Sequence, residues 1–544
     1  MRYERYSIQG HNMLEINDLS IGLSTATHTN DYLVRDVNLS IANGEIYALV
    51  GESGSGKSIT ALSIMRLLPT VMRYSLASKI YLHGRDILSI AEKSMRAIRG
   101  ANVAMIFQDP MTSLNPILTV GAQILESLRL HQNLTGRHAY LEALRLLEAV
   151  QLAEPARCFA SYPHYLSGGM RQRVMIAMAL AGKPKLLIAD EPTTALDVIT
   201  QRQILNLLQE LQCAENMAML LITHDLEIAK KYADRVGVMQ AGALIEQNTK
   251  IDFFNHPQHA YSQQLLACTP QLVLPSNIDV NNHDTVLQTS NLSVSFPIKH
   301  GLFLRTVDYV QAVADANLTL FAGQTLGLIG GSGSGKSTLG KALLGLIPNV
   351  QGTVEYADKS LLTLTNKQML GIRAQIQIIF QDPYTALNPK LRVIDSLEEG
   401  LLLHGKLTTQ KARYARIDQL LTQVGLQPTE KWRYPHEFSG GQRQRLCIAR
   451  VLAVEPKIIV CDEPTSSLDV SVQAQIINLL LELQRQYNLT YLFISHDLKV
   501  VSKMAHTVAV MQHGKIIEQG TVTEIFANPQ QQYTKELLQA VTMD

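Results

Sequence analysis

Gly51-Glu52-Ser53-Gly54-Ser55-Gly56-Lys57-Ser58 is a glycine-rich turn closed by a lysine and a hydroxyl, a combination suited to a polyphosphate. Gly51, Gly54 and Gly56 let the loop's N–H groups, Ser53's among them, turn inward around phosphate oxygens. A helix beginning at Lys57 points the positive end of its dipole at the same place. Lys57 then offers a point charge to the β- and γ-phosphates, and Ser58 a hydroxyl for Mg2+. The loop returns as Gly330-Gly331-Ser332-Gly333-Ser334-Gly335-Lys336-Ser337, where Lys336 and Ser337 repeat both roles. One such loop could be a chance turn; two, each after an apolar run and before a helical pattern, argue for paired phosphate sites.

The segments downstream of each loop are repeated as well. Ser439, Asp462 and His496 each lie 272 residues after Ser167, Asp190 and His224. Asp190 and Asp462 end four-residue apolar runs and precede Glu191 and Glu463. The aspartate can hold Mg2+ through water while the glutamate orients or deprotonates an attacking water. Helix-capping carboxylates are the plainer reading, but Pro-Thr follows both pairs and Leu-Asp recurs five residues beyond each glutamate. His224 and His496 end short apolar strands at the same distance from Asp-Glu, which fits a γ-phosphate contact. Gln108 and Gln381 share the segment Ile-Phe-Gln-Asp-Pro, where an amide can reach both Mg2+ and the water. Ser167-Gly168-Gly169 and Ser439-Gly440-Gly441 open helices read over Arg171–Leu180 and Arg443–Leu452, whose first N–H groups also suit a phosphate. Since the γ-phosphate is already held by its own lysine loop, this second anion site is read as serving the nucleotide of the other half.

These side chains need elements to hold them. Apolar runs at Ile46–Val50, Leu186–Ala189 and Leu220–Thr223 read as buried parallel strands that deliver the polar groups at their C-terminal ends. A helical portion lies between the glutamine and the Ser-Gly-Gly segment, over about Pro116–Leu152 and Asn388–Gly425. At 544 residues with a half-length repeat, the chain reads as two α/β domains, 13–268 and 286–544, joined by a short Pro- and Asn-containing linker over 269–285. With 48 basic against 47 acidic residues there is no basic excess for gripping nucleic acid. Five scattered cysteines form no Cys-x-x-Cys pair and read as reduced thiols. The chain lacks an apolar run long enough to span a bilayer and a signal-like N-terminus, and reads as soluble or peripheral.

Taken together, these motifs resemble the ATP-binding cassette ATPases over both halves, from about Leu14 onward. The resemblance implies two tandem P-loop ATPase domains, each with a mainly parallel sheet core, an antiparallel β subdomain and a helical subdomain. It implies two composite sites for ATP and Mg2+. One would join Lys57, Ser58, Gln108, Asp190, Glu191 and His224 to Ser439, Gly440 and Gly441. The other would join Lys336, Ser337, Gln381, Asp462, Glu463 and His496 to Ser167, Gly168 and Gly169. In both, the Ser, Gln and Asp would serve the metal and the Glu and His the chemistry.

Phe107 to Pro116, Tyr162-Pro163-His164, Thr194 to Val198 and the His-Pro…Tyr-Ser tail are similar to the oligopeptide/nickel class of importer ATPases. Phe296 to Leu302 further resembles the Yej-type group, associated with microcin C-like peptides. The class implies peptide import, two integral membrane permease subunits, an indirectly coupled substrate-binding protein and a place on the cytoplasmic face of the inner membrane. An adenine-stacking aromatic is expected before the first strand of each cassette, with Tyr32 and Tyr309 the nearest. Only Cys268 lies where some relatives carry an iron–sulfur cluster, so none is expected. The alternatives are an exporter ATPase and a soluble twin-cassette ATPase of translation or DNA repair; a short neutral linker without zinc cysteines or long heptads speaks against the latter.

Overall fold

The structure, a computed structural model, describes residues 12–23, 32–193, 196–269, 272, 284–300, 305–405, 407–466 and 468–541, with the side chains of 298–300, 305 and 307 left aside. Most of the linker read over 269–285 lies outside these residues, as do Thr194, Ala195 and residues 301–304. Apart from the segment Asp197–Ile199, the chain divides into two compact units after Cys268.

The first unit is built on a six-stranded sheet. Its order is Val103–Ile106, Leu186–Asp190, Ala218–Thr223, Ile46–Val50, Arg235–Gln240, Ala243–Thr249. The first five strands run parallel and only the last is antiparallel. Every residue of Ile46–Val50, Leu186–Asp190 and Ala218–Thr223 is buried. A parallel sheet covered on both faces requires this, which is why the strands read as unbroken apolar runs rather than alternating ones. Because the strands are parallel and adjacent, the segments leaving their C-terminal ends all emerge along one sheet edge. These are Gln108, Asp190-Glu191, His224 and the Gly51–Ser58 loop.

Two further layers cover the sheet. An antiparallel sheet pairs Leu14–Leu23 with Tyr32–Ile41, Met72–Tyr74 and Lys79–Leu82. It buries Ile16, Leu19, Ile21 and Val34 against Leu49, Ile64, Ile188 and Ile222. On another side, helices Val120–Gln132, Gly136–Ala149 and Gly168–Leu180 bring Ile124, Leu128, Leu147, Val174 and Ile176 against the sheet residues Leu187, Met219 and Leu221.

The second unit repeats this plan. Its six-stranded sheet runs Ile376–Ile379, Ile458–Asp462, Thr490–Ile494, Thr325–Ile329, Thr507–Gln512, Lys515–Thr521. Thr285–His300 and Arg305–Phe321 form the long hairpin of its antiparallel sheet. Helices Val393–Leu403, Gln410–Gln423 and Gly440–Leu452 make its helical layer.

The helices read as starting at Arg171 and Arg443 begin three residues earlier, at Gly168 and Gly440. Glycine is a poor helix former, so sequence pattern alone sets the start too late. The serine before each pair supplies the missing cap: Ser167 Oγ accepts from Met170 N–H at 3.3 Å and Ser439 Oγ from Gln442 N–H at 3.4 Å. Among the described residues, no helix is long and apolar enough to cross a membrane.

Candidate functional site

In the first unit the loop Gly51–Ser58 wraps its own lysine. Lys57 Nζ donates to Gly51 O at 2.7 Å, Glu52 O at 2.8 Å and Ser55 Oγ at 3.3 Å. The lysine is 5% exposed, so its charge is held at the loop before any ligand arrives. Helix Lys57–Ile64 starts directly behind it, and Ser58 Oγ donates to Asp190 Oδ1 at 3.0 Å. Gly51 has φ +153°, and a Cβ there would lie 2.3 Å from Met239 O, so the first loop position admits only glycine.

Beside this pair stands a trio. Glu191 Oε2 accepts from Gln108 Nε2 at 2.8 Å, while Glu191 Oε1 lies 3.2 Å from His224 Nδ1. Glu191 occupies the left-handed region at φ +45°, and Glu463 does so at +46°. Outside glycine this conformation is uncommon, and here it turns the carboxylate sharply out of the strand that ends at the preceding aspartate.

The second unit reproduces these contacts. Lys336 Nζ donates to Gly330 O at 2.9 Å, Gly331 O at 2.8 Å and Ser334 Oγ at 3.4 Å. Ser337 Oγ donates to Asp462 Oδ1 at 2.7 Å, and Gln381 Nε2 to Glu463 Oε2 at 2.8 Å. His496 Nδ1 lies 3.3 Å from Glu463 Oε2. In each unit, then, the lysine, serine, glutamine, aspartate, glutamate and histidine singled out in the sequence meet along one sheet edge.

Burial and charge set distinct proton affinities here. Burial pushes the Asp190 carboxyl up to about 6 against the hydrogen bond from Ser58, and it raises Asp462 in the same way. The hydrogen bond to Glu191 raises His224 above the ordinary histidine value, outweighing burial. Burial pulls His496 down, but the Glu463 hydrogen bond and charge prevail and raise it. Burial likewise works to raise Glu463, and His496 with Lys336 holds it below the usual carboxylate value. In the second unit the neighbouring carboxylates are therefore split, with Asp462 more readily protonated and Glu463 held ionised.

Ser167, Gly168 and Gly169, and likewise Ser439, Gly440 and Gly441, stand at the heads of helices Gly168–Leu180 and Gly440–Leu452. Their helices carry an arginine, Arg171 or Arg443, which the sequence reading took only as a helix start. Arg171 Nε donates to Pro163 O at 2.7 Å and the guanidinium reaches the Met111 sulfur; Arg443 Nε donates to Pro435 O at 2.7 Å and its guanidinium lies 3.9 Å over the Tyr384 ring. Met111 and Tyr384 belong to the short helices Pro110–Ser113 and Pro383–Ala386, just after the glutamines. The signal was available, since Arg443 follows Arg171 by the repeat offset of 272.

The two tyrosines proposed for adenine stacking differ in register. The backbone oxygen of Leu33 borders Gly56 and that of Ala312 borders Gly335. Tyr32 is thus one residue before its loop contact, and Tyr309 three before its own. Both fall on the same face of their strands, two residues out of step.

Comparison with known proteins agrees with this architecture. The ABC transporter family model matches residues 34–194 and 313–466, and the oligopeptide/dipeptide transporter C-terminal region matches 245–290 and 517–543. The chain is 49% identical over 528 residues to the peptidoglycan transport ATP-binding protein YejF of Agrobacterium fabrum, covering 97% of this chain and 96% of that one. It is 49% identical to an uncharacterized ABC transporter ATP-binding protein YejF of Escherichia coli, over 97% and 99% of the two chains. It is 48% identical to the E. coli glutathione import ATP-binding protein GsiA, over 93% and 86%. With each family model matched twice, in the order of the two motif sets, this chain belongs to the ABC transporter ATPases, as a tandem-cassette ATP-binding subunit of the oligopeptide/dipeptide importer type.

Proposed function

We propose that the chain powers peptide uptake through two membrane permease subunits, hydrolysing ATP at two sites. The observation that carries this reading is that both units hold a complete set of Lys, Ser, Asp, Gln, Glu and His joined by matching hydrogen bonds. Neither set is degenerate, so both hydrolyse.

In this reading Lys57 exchanges its bonds to Gly51 O and Glu52 O for phosphate oxygens. The loop N–H groups and the head of helix Lys57–Ile64 complete the cradle. Ser58 and Asp190 present two hard oxygen donors 3.0 Å apart, which fits Mg2+, and these two residues would hold it. Held by Ser58 and Asp190, Mg2+ would supply positive charge against the developing phosphate charge. Glu191 orients and deprotonates the water, Gln108 steadies that carboxylate, and His224 meets the γ-phosphate; Lys336, Ser337, Asp462, Glu463, Gln381 and His496 do the same in the second site. The family resemblance implies that the Ser-Gly-Gly helix head of the other cassette would complete each site, with ATP favouring closure and loss of γ-phosphate favouring release.

The relatives' names speak of peptidoglycan and glutathione, both of which contain short peptides, and this supports a peptide cargo taken from a substrate-binding protein. Microcin C-like peptides are one member of that class. The chain would work on the cytoplasmic face of the inner membrane. The test is a mild-detergent pull-down of the tagged Glu191→Gln/Glu463→Gln chain with and without Mg-ATP. Recovery of two polytopic membrane proteins is the expected result. Recovery of ribosomes or nucleic acid instead would overturn the transport role in favour of a soluble twin-cassette ATPase.

A further inference from the structure

The last helix of the second unit, Gln532–Val541, is fixed at its start by one carboxylate. Glu518, on strand Lys515–Thr521, accepts from the backbone N–H of Gln530 at 2.7 Å and of Gln531 at 3.2 Å, and from the Thr534 hydroxyl. Thr534 is fully buried. Next to it stands Tyr533, whose phenol oxygen accepts from the Gly331 N–H at 2.7 Å. Gly331 is the second residue of the phosphate loop, and its carbonyl is one of the acceptors of Lys336. The C-terminal segment therefore touches the loop at the residue that also anchors the phosphate-binding lysine.

This contact depends on glycine. A Cβ on Gly331 would lie 3.0 Å from the phenol oxygen, closer than a carbon and an oxygen pack comfortably. The first unit repeats the carboxylate anchor, with Glu246 accepting from Gln258 N–H at 2.9 Å and His259 N–H at 3.0 Å. At the loop, however, it has Glu52 where the second unit has Gly331. The two cassettes share the lysine and serine bonds of the phosphate loop and carry different residues at this second loop position.

We propose that Tyr533 is a positioning residue of the second nucleotide site, through which the C-terminal segment braces the phosphate loop and raises that site's affinity for ATP. The proposal rests on the reading of Gly330–Ser337 as an ATP loop. Holding a loop in its binding conformation lowers the ordering cost at the moment of binding, so a lost brace appears in affinity rather than in the chemical step.

The experiment uses the full chain with Lys57→Ala silencing the first site, and reads binding of a fluorescent ATP analogue together with steady-state ATPase activity. Tyr533→Phe removes the hydrogen bond and keeps the ring. Binding weakens about 3- to 10-fold and KM rises by the same factor, the scale of one neutral hydrogen bond, while kcat stays within about twofold. Gly331→Ala, which crowds the phenol, gives a similar loss, and the double variant is no worse than the more affected single one, since both break one contact. Lys336→Ala abolishes binding. Analogue affinity and KM unchanged in Tyr533→Phe, with binding abolished by Lys336→Ala, overturn the brace, and so does a lower unfolding temperature with unchanged KM. Full binding in Lys336→Ala overturns the assignment of the loop itself.

Discussion

Replacing Glu191 and Glu463 by glutamine removes two charges and almost nothing else. A glutamine at 191 has the same length, so the amide oxygen can still accept from Gln108 Nε2 in place of the carboxylate oxygen now 2.8 Å away. The left-handed backbone at φ +45° is unaltered by an isosteric side chain. What is lost is the base: an amide cannot take a proton from water, and a positioned general base contributes about 10²- to 10⁴-fold to rate. Phosphate release by the double variant should therefore fall at least about 100-fold, equivalent to about 2.7 kcal/mol of transition-state stabilisation. Lys57, Ser58 and the loop are untouched, so ATP affinity changes by no more than about twofold. Stability changes little, since the His224 partner is partly exposed and such pairs contribute about 0–1 kcal/mol.

The structure adds a second readout. The Glu191 hydrogen bond is the largest influence raising His224. With a neutral amide beside it, the imidazole should titrate at lower pH in the variant than in the parent, observable by NMR of the ring protons. Hydrolysis above a tenth of the parental rate would refute the base assignment. An unmoved His224 titration would refute the pairing.

Asp190 titrates near 6 in the nucleotide-free chain, with its folded value raised above the ordinary one. Protonation removes the charge that would face Mg2+, so Mg-ATP affinity at the first site should fall as pH drops through about 6; the same slope in Asp190→Asn would show that the group responsible lies elsewhere. Gly51→Ala places a methyl 2.3 Å from Met239 O at φ +153°, a backbone strain of about 1–3 kcal/mol before the overlap is counted, so the variant should bind ATP poorly and melt earlier; wild-type affinity would contradict the loop geometry. Burial drives the Cys447 thiol up to about 12 and Cys461 higher still, whereas Cys213 is exposed. Iodoacetamide should therefore modify Cys213 in the native chain and Cys447 and Cys461 only after unfolding, as peptide mass spectrometry would show.

The core sheets were legible because their central strands are buried on both faces and read as continuous apolar runs with polar residues at one end. The antiparallel sheets were not read strand by strand, and their bulges supply the reason. Asp18 and Asp36 in the first unit, and Asn291 and Asp315 in the second, have φ between 46° and 51° and sit at register shifts. Each bulge slips the inward and outward alternation by one residue, which erases the period-two pattern. The hydroxyls that bond two of them, Ser20 Oγ accepting from Asp36 N–H and Ser293 Oγ from Asp315 N–H, both at 2.9 Å, lie 16 and 22 residues away in sequence. The Tyr533 tether is hidden for a related reason. It joins residues 202 apart, and its possibility turns on one glycine in a loop where every glycine already has a ready explanation.

The order of strands explains why the histidine and glutamine serve the same glutamate although one follows it by 33 residues and the other precedes it by 83. Leu186–Asp190 lies between Val103–Ile106 and Ala218–Thr223 in the sheet. Glu191, turned out of its strand by its own left-handed backbone, is therefore flanked on one side by the segment carrying Gln108 and on the other by His224. The loop strand Ile46–Val50 comes next in the row, so helix Lys57–Ile64 must reach past the histidine strand for Ser58 to meet Asp190, as the 3.0 Å bond between them shows it does. A sheet in which the strand bearing Asp190-Glu191 sat at an edge would give that carboxylate only one neighbour. The catalytic arrangement is thus a property of the crossover pattern, and the second unit, with the same strand order, arrives at the same trio around Glu463.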